Sequence, residues 1–174
     1  NGPALYQLFL DLEFAKLIDK FHLTAPQGEG AVQEEASAQV NTASEVVETR
    51  ERLEELLALW RGLDGVNVLA LPSLDVVCVE WAETEKEHRA ALLFAGKLEC
   101  YNDGLRTLFA PDIKKVVHGS KELCKRLLDE GIQPGGIVFD TEVAAYLLAP
   151  TDGSYDLEKL GITYYNQEFP KAKT

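Results

Sequence analysis

Apolar positions at the start of the chain fall at helical spacing. Leu5, Leu8, Phe9, Leu12 and Ala15 form one stripe, and Phe14, Leu17, Ile18 and Phe21 widen it, which predicts an amphipathic helix over residues 4–22 with Pro3 at its start. The stretch from Thr24 to Asn41 turns to Ala, Gln, Glu, Gly and Ser, buries little and reads as a flexible linker. Thr42 and Glu45 have capping-box spacing, and Val46, Val47, Leu53, Leu56, Leu57 and Trp60 then predict a second helix ending near Gly62. After Gly65 the period shortens. Val66–Leu71, Val76–Trp81, Arg89–Phe94 and Leu98–Tyr101 are short β-branched or apolar runs between turn signals, the pattern of an antiparallel meander. Beyond them Asn102 or Asp103 caps a helix to Phe109, Ile113–Val117 is a strand, and Ser120 caps a helix through Leu128. Gly136–Phe139 reads as a buried strand, Thr141–Ala149 as a helix stopped by Pro150, and Ser154 as the cap of a last helix through Leu160. The order implies one α/β domain over residues 42–174, a mixed sheet with helices on both faces, preceded by a helix (1–23) and a linker (24–41).

The size supports that reading: 174 residues with 46% hydrophobic content suffice for one core without metal or disulfide staples. Cys78, Cys100 and Cys124 are odd in number and lack CxxC spacing, which argues against a disulfide framework or structural zinc and fits a reducing cytoplasm. No apolar run is long enough to span a bilayer, so no membrane partner is expected. The chain contains no methionine and is expected to be a piece of a longer protein. With 17 Lys+Arg against 29 Asp+Glu, the formal charge is −12, which opposes tight binding to a nucleic-acid backbone.

Asp140-Thr141-Glu142, ending an apolar strand, has the spacing of paired metal ligands, but two ions need further carboxylates, and Asp140 stands where a helix N-cap belongs. Asp11-Leu12-Glu13 lies inside a helical pattern, where i and i+2 point in different directions. His22, His88 and His118 are scattered, and His118, just before a helix, is expected to make a neutral hydrogen bond. Cys78 and Cys124 are expected to pack as small hydrophobes. Gly135-Gly136 precedes a strand and reads as a turn, not a phosphate cradle. Lys114-Lys115 and Lys121-Lys125-Arg126, set among acids, read as solvated faces.

The run from Ile113 to Leu160 resembles the second half of the 3'-5' exonuclease domain of bacterial DNA polymerase I, a family A polymerase. The resemblance rests on Lys115-Val116-Val117-His118, on the Gly131-Ile132 turn, and on Gly136 to Thr141 leading into Ala144 to Pro150; Ser154 to Leu157 completes it. Leu8 to Phe14 resembles the segment that enters this domain from the flap-nuclease region. The resemblance implies a ribonuclease-H-like fold. Active members carry D-x-E on the first strand and an Asp on the helix after the fourth. In the matching pattern K-V-x-x-N-x-K-x-D, Gly119 stands for the Asn and Leu123 for the metal-binding Asp. Two registers fit the first strand. With Val76–Trp81, Val79 and Trp81 replace the acids; with Val66–Leu71, the positions fall among Ala70, Leu71, Pro72 and Ser73.

The implied protein is therefore a catalytically silent exonuclease-like domain with no metal or cofactor of its own. Its old site is expected to be closed and dry. The resemblance further implies a parent enzyme, magnesium-dependent in its polymerase, that carries out DNA-templated synthesis in replication and repair. The domain's partners would be the polymerase and flap-nuclease regions of that parent, with DNA reached through the parent and the isolated domain a monomer. Two other readings stay open: a metal-dependent 3'-5' exonuclease with unorthodox ligands among Asp75, Glu80, Glu83 and Asp140, and a single-stranded DNA binding module that stacks bases on Trp81, Tyr101 or Tyr146.

Overall fold

The computed structural model describes residues 41–165. The expected helix over 4–22 and all of the linker except Asn41 lie outside the described residues. Six strands and five helices follow in the order β1 (Asn41–Val47), α1 (Arg50–Arg61), β2 (Val66–Ala70), β3 (Val76–Ala82), β4 (Glu87–Phe94), α2 (Tyr101–Leu108), β5 (Lys115–Val117), α3 (Ser120–Asp129), β6 (Ile137–Asp140), α4 (Thr141–Leu148) and α5 (Leu157–Tyr165). They build one mixed sheet in the order β1-β4-β3-β2-β5-β6. The meander β2-β3-β4 is antiparallel, and β5 and β6 add in parallel beside β2. This is an α/β domain with a ribonuclease-H-like sheet.

The predicted helix from Thr42 is corrected at its start. Residues 41–47 form a strand parallel to β4, with Asn41 opposite Glu87 and Val47 opposite Leu93. The β-branched pair Val46-Val47 favours this pairing, in which Val47 is buried and Val46 points out. Helix α1 begins about two turns later: Thr49 is extended and its hydroxyl accepts from the Arg52 N–H at 3.2 Å. Leu53, Leu56, Leu57 and Trp60 then bury one face. At about 1.5–3 kcal/mol for each fully buried side chain, packing holds α1 far more strongly than its cap does.

Leu98–Tyr101 is not a strand. Lys97 and Leu98 both donate to the Phe94 carbonyl, which turns the chain into α2, and Leu98 and Tyr101 anchor the turn from inside the core. Asn102 and Asp103 lie within the first turn of α2, and Cys100 precedes it without a side-chain cap. Likewise Gly119, at φ +72°, sits at the N-cap of α3, with Ser120 as the first helical residue.

Alternation along β3 points Val77, Val79 and Trp81 to one face, where they meet Val66 and Val68 of β2, Leu93 of β4 and the buried sides of α1, α2 and α3. Trp60 and Trp81 pack edge to face at 5.7 Å between centroids.

Lys115 departs most from expectation. It is fully buried. Its ammonium donates to the carbonyls of Leu108 (2.7 Å), Ala110 (3.0 Å) and Ile113 (2.6 Å) and lies 5.7 Å from the centre of the Phe109 ring. Three donors meet three acceptors, so the loop from α2 to β5 closes around one cation. Gly136, at φ +66°, is the other half of this closure, because a Cβ there would clash with the Ile113 carbonyl and approach Lys115 Nζ to 2.8 Å. Burial lowers the Lys115 pKa from 10.5 to about 8, with Asp112 opposing the shift, so the group remains mostly charged at neutral pH.

Candidate functional site at the carboxyl ends of the parallel strands

In open α/β sheets, ligand sites gather at the carboxyl ends of parallel strands, here β2, β5 and β6. The three ends lie side by side through the pairs Val68–Val117 and Val117–Asp140. The face of β2 opposite the core presents Asn67 and Leu69, and Leu71 follows the strand end, also exposed. Leu69 and Leu71 are 54% and 48% exposed, so an i, i+2 pair at the end of this strand is apolar.

An open groove of about 350 Å³ runs over that face, lined in part by Asn67, Leu69, Cys78, Glu80, Val116 and His118, with Thr141 and Leu157 of α4 and α5 at its rim. The expectation of a closed site is therefore corrected: Leu69 keeps the groove apolar, but nothing among the described residues fills it. Glu80 bridges Asn67 and His88 by side-chain hydrogen bonds across three strands. The Cys78 thiol is pushed up by burial and then by Glu80, away from a reactive thiolate.

Asp140 is a cap, and it serves two helices. One oxygen accepts from the N–H groups of Glu142 (2.8 Å) and Val143 (3.3 Å), capping α4, and also from Gly119 (3.2 Å); the other accepts from Ser120 (2.7 Å) at the start of α3. Burial raises its pKa, but the hydrogen bonds from Ser120, Glu142 and Val143 outweigh this and hold it below 3.8. His118 Nδ1 lies 2.9 Å from the Thr141 hydroxyl, so both residues after β5 and β6 are spent on joining the strand ends. Replacing Asp140 with Ala should cost about 1–3 kcal/mol in denaturant unfolding, because two helix starts lose an acceptor. A carboxyl with a depressed folded pKa stabilises above its ordinary pKa. The difference between wild type and Asp140→Ala should therefore be full at pH 6 and shrink as the pH falls below 3.8.

The other positions singled out by sequence do not converge. Val79 and Trp81 lie on β3 with buried side chains in the core, whereas β2 is the strand beside β5. Leu123 is buried in the same core, under α3, and does not line the groove. Gly119 has Glu142 within 3.3 Å of where a Cβ would stand. Asp75 bonds Ser73 in the β2–β3 turn, and Glu83 pairs with Arg89 at 2.7 Å. Among the described residues no three His, Cys, Asp or Glu side chains gather where they could hold a metal ion. The donor set present thus does not fit the pair of divalent ions that the family resemblance implies. Of the aromatic candidates, Trp81 and Tyr101 are buried, with Tyr101 donating to the Leu74 carbonyl at 2.5 Å, and only Tyr146 is exposed. Sequence reasoning missed Leu69, because the alternation that sends it outward is fixed only once β2 is placed between β3 and β5.

The sequence matches no protein-family model and no curated protein. Solved structures do share the fold. The POL domain of Pol1 from M. smegmatis, in complex with DNA primer-template and dNTP, aligns at 22% identity and a TM-score of 0.57, covering 72% of this chain and 23% of that one. Escherichia coli RNase D, an exoribonuclease involved in structured RNA processing, aligns at 16% identity and 0.56, covering 75% and 35%. Trypanosoma brucei RNase D in complex with RNA U12 aligns at 13% identity and 0.58, covering 76% and 50%. The chain therefore shares the ribonuclease-H-like fold of these proteins, and it spans half or less of the length of each of them. Among the described residues no helix is long and apolar enough to cross a membrane.

Proposed function

We propose that the chain is a catalytically silent 3'-5' exonuclease-like domain of a bacterial DNA polymerase I. Its work is structural, within a cytoplasmic parent enzyme that performs DNA-templated DNA synthesis in replication and repair. The observation that carries this reading is the end of the strand beside β5, where Leu69, Ala70 and Leu71 stand with no carboxylate among them, although holding a pair of ions takes several. Leu123 on α3, buried in the core where the resemblance puts a metal-binding Asp, supports it. The Pol1 match supplies a polymerase context for this fold.

Incubation of the chain with a 3'-labelled single-stranded oligonucleotide and Mg²⁺ or Mn²⁺ should leave the label at full length. Metal-dependent shortening that survives stringent purification and stops with EDTA would sink the proposal.

A further inference from the structure

Among the described residues, ten of the fifteen exposed large apolar side chains lie between Val138 and Tyr165, on β6, α4 and α5. Helix α4, TEVAAYLL, is apolar on nearly every side, yet only Ala145 is buried, while Leu147 and Leu148 are 72% and 73% exposed. A helix apolar all round is normally buried all round. Between α4, α5 and β6 runs a groove of about 500 Å³ lined by Phe139, Leu148 and Tyr164 among others, and it shares Thr141 and Leu157 with the groove over the open sheet face. The apolar surface is thus continuous around this end of the sheet, on a scale that marks an interaction surface.

The position of α5 indicates what covers this surface. The chain leaves the described fold at the end of α5, through Tyr164 and Tyr165, which themselves line the larger groove. Whatever follows Tyr165 in a longer chain begins inside the patch, at high effective concentration, with no diffusional search to make. The surface is also ill suited to a nucleic-acid backbone: α4 and α5 carry one base, Lys159, and that base is paired with Asp152 at 3.4 Å. We propose that the β6–α4–α5 face is the docking surface on which the parent chain beyond Tyr165 packs back. This inference rests on the proposed parent.

Hydrogen exchange on the 174-residue chain and on the full-length parent tests it. Amides of α4 and α5 should exchange at least about tenfold more slowly in the parent, while those of α1 stay the same. Equal rates for α4 and α5 in both would overturn the docking. Leu147→Asp with Leu148→Asp should leave the melting temperature of the 174-residue chain within about 2 °C, since both side chains are exposed, and should erase the added protection in the parent. Concentration-dependent dimers of the 174-residue chain in sedimentation, dissolved by the same pair of substitutions, would overturn the proposal in favour of a second copy. The coding sequence after Thr174 separates the two readings. A polymerase region there with unprotected α4 and α5 refutes the docking alone, whereas its absence refutes the parent.

Discussion

Lys115→Met should lower the unfolding free energy by about 3–5 kcal/mol, although the substitution removes a buried charge and adds apolar volume. The reason lies in the partners left behind. The carbonyls of Leu108, Ala110 and Ile113 all accept from this one ammonium, and orphaned buried acceptors cost about 1–3 kcal/mol each before any relaxation. In a domain of this size the melting temperature should fall by about 6–15 °C. The pH dependence has a definite sign. The folded pKa, about 8, lies below the ordinary 10.5, so between these values the folded chain binds fewer protons than the unfolded chain. Wild type should therefore gain stability relative to Lys115→Met as the pH rises from 8 to 10.5, and the difference should be flat below 8. Chemical denaturation at pH 7, 9 and 10.5 reads both quantities; a difference that shrinks with rising pH would show that Lys115 is not held as described.

Leu123→Asp should cost about 3–5 kcal/mol, because it places a carboxylate in the core under α3 with no cation facing it. Leu69→Asp with Leu71→Glu should cost only about 1 kcal/mol in total, since both side chains are about half exposed. The contrast is the informative part. Acids are tolerated on the outward face of the strand and rejected in the core under the helix, so an acid restored at Leu123 destabilises the fold whatever stands on the strand. Urea melts of the three proteins measure it. A Leu123→Asp variant as stable as wild type would mean that α3 can turn this position out to the groove.

Much of the fold was legible where local chemistry and tertiary context agree. Leu53, Leu56, Leu57 and Trp60 announce α1 by spacing alone, and Asp140 announces the start of α4 because a strand must end where a cap begins. The apolar alternation of Val77, Val79 and Trp81 places β3 without help from any neighbour. What escaped was set by distant partners. Strand β1 has little apolar content, and its hydrogen bonds are made with a strand some 46 positions onward, so Asn41 reads as the end of a linker and the Thr42–Glu45 spacing as the cap of a helix. Lys115 reads as solvated because a lysine is almost always so; its three acceptors come from a loop whose path is not written in any periodicity. The site suffered from the same cause. That Leu69 faces outward while Ala70 packs against the core is settled only by the face each takes in a placed strand.

The parallel pairing of β1 with β4 also sets a schedule during synthesis. Asn41 leaves the ribosome some 46 residues before its partner Glu87, an interval of roughly 2–9 s at 5–20 residues per second. The β2-β3 hairpin can close in that time, on a microsecond scale, but β1 must wait as a naked strand until β4 exists to receive it. A long apolar strand kept waiting so would recruit neighbouring nascent chains. Asn41-Thr42-Ala43-Ser44-Glu45, polar and mostly exposed even when docked, gives such chains little to adhere to.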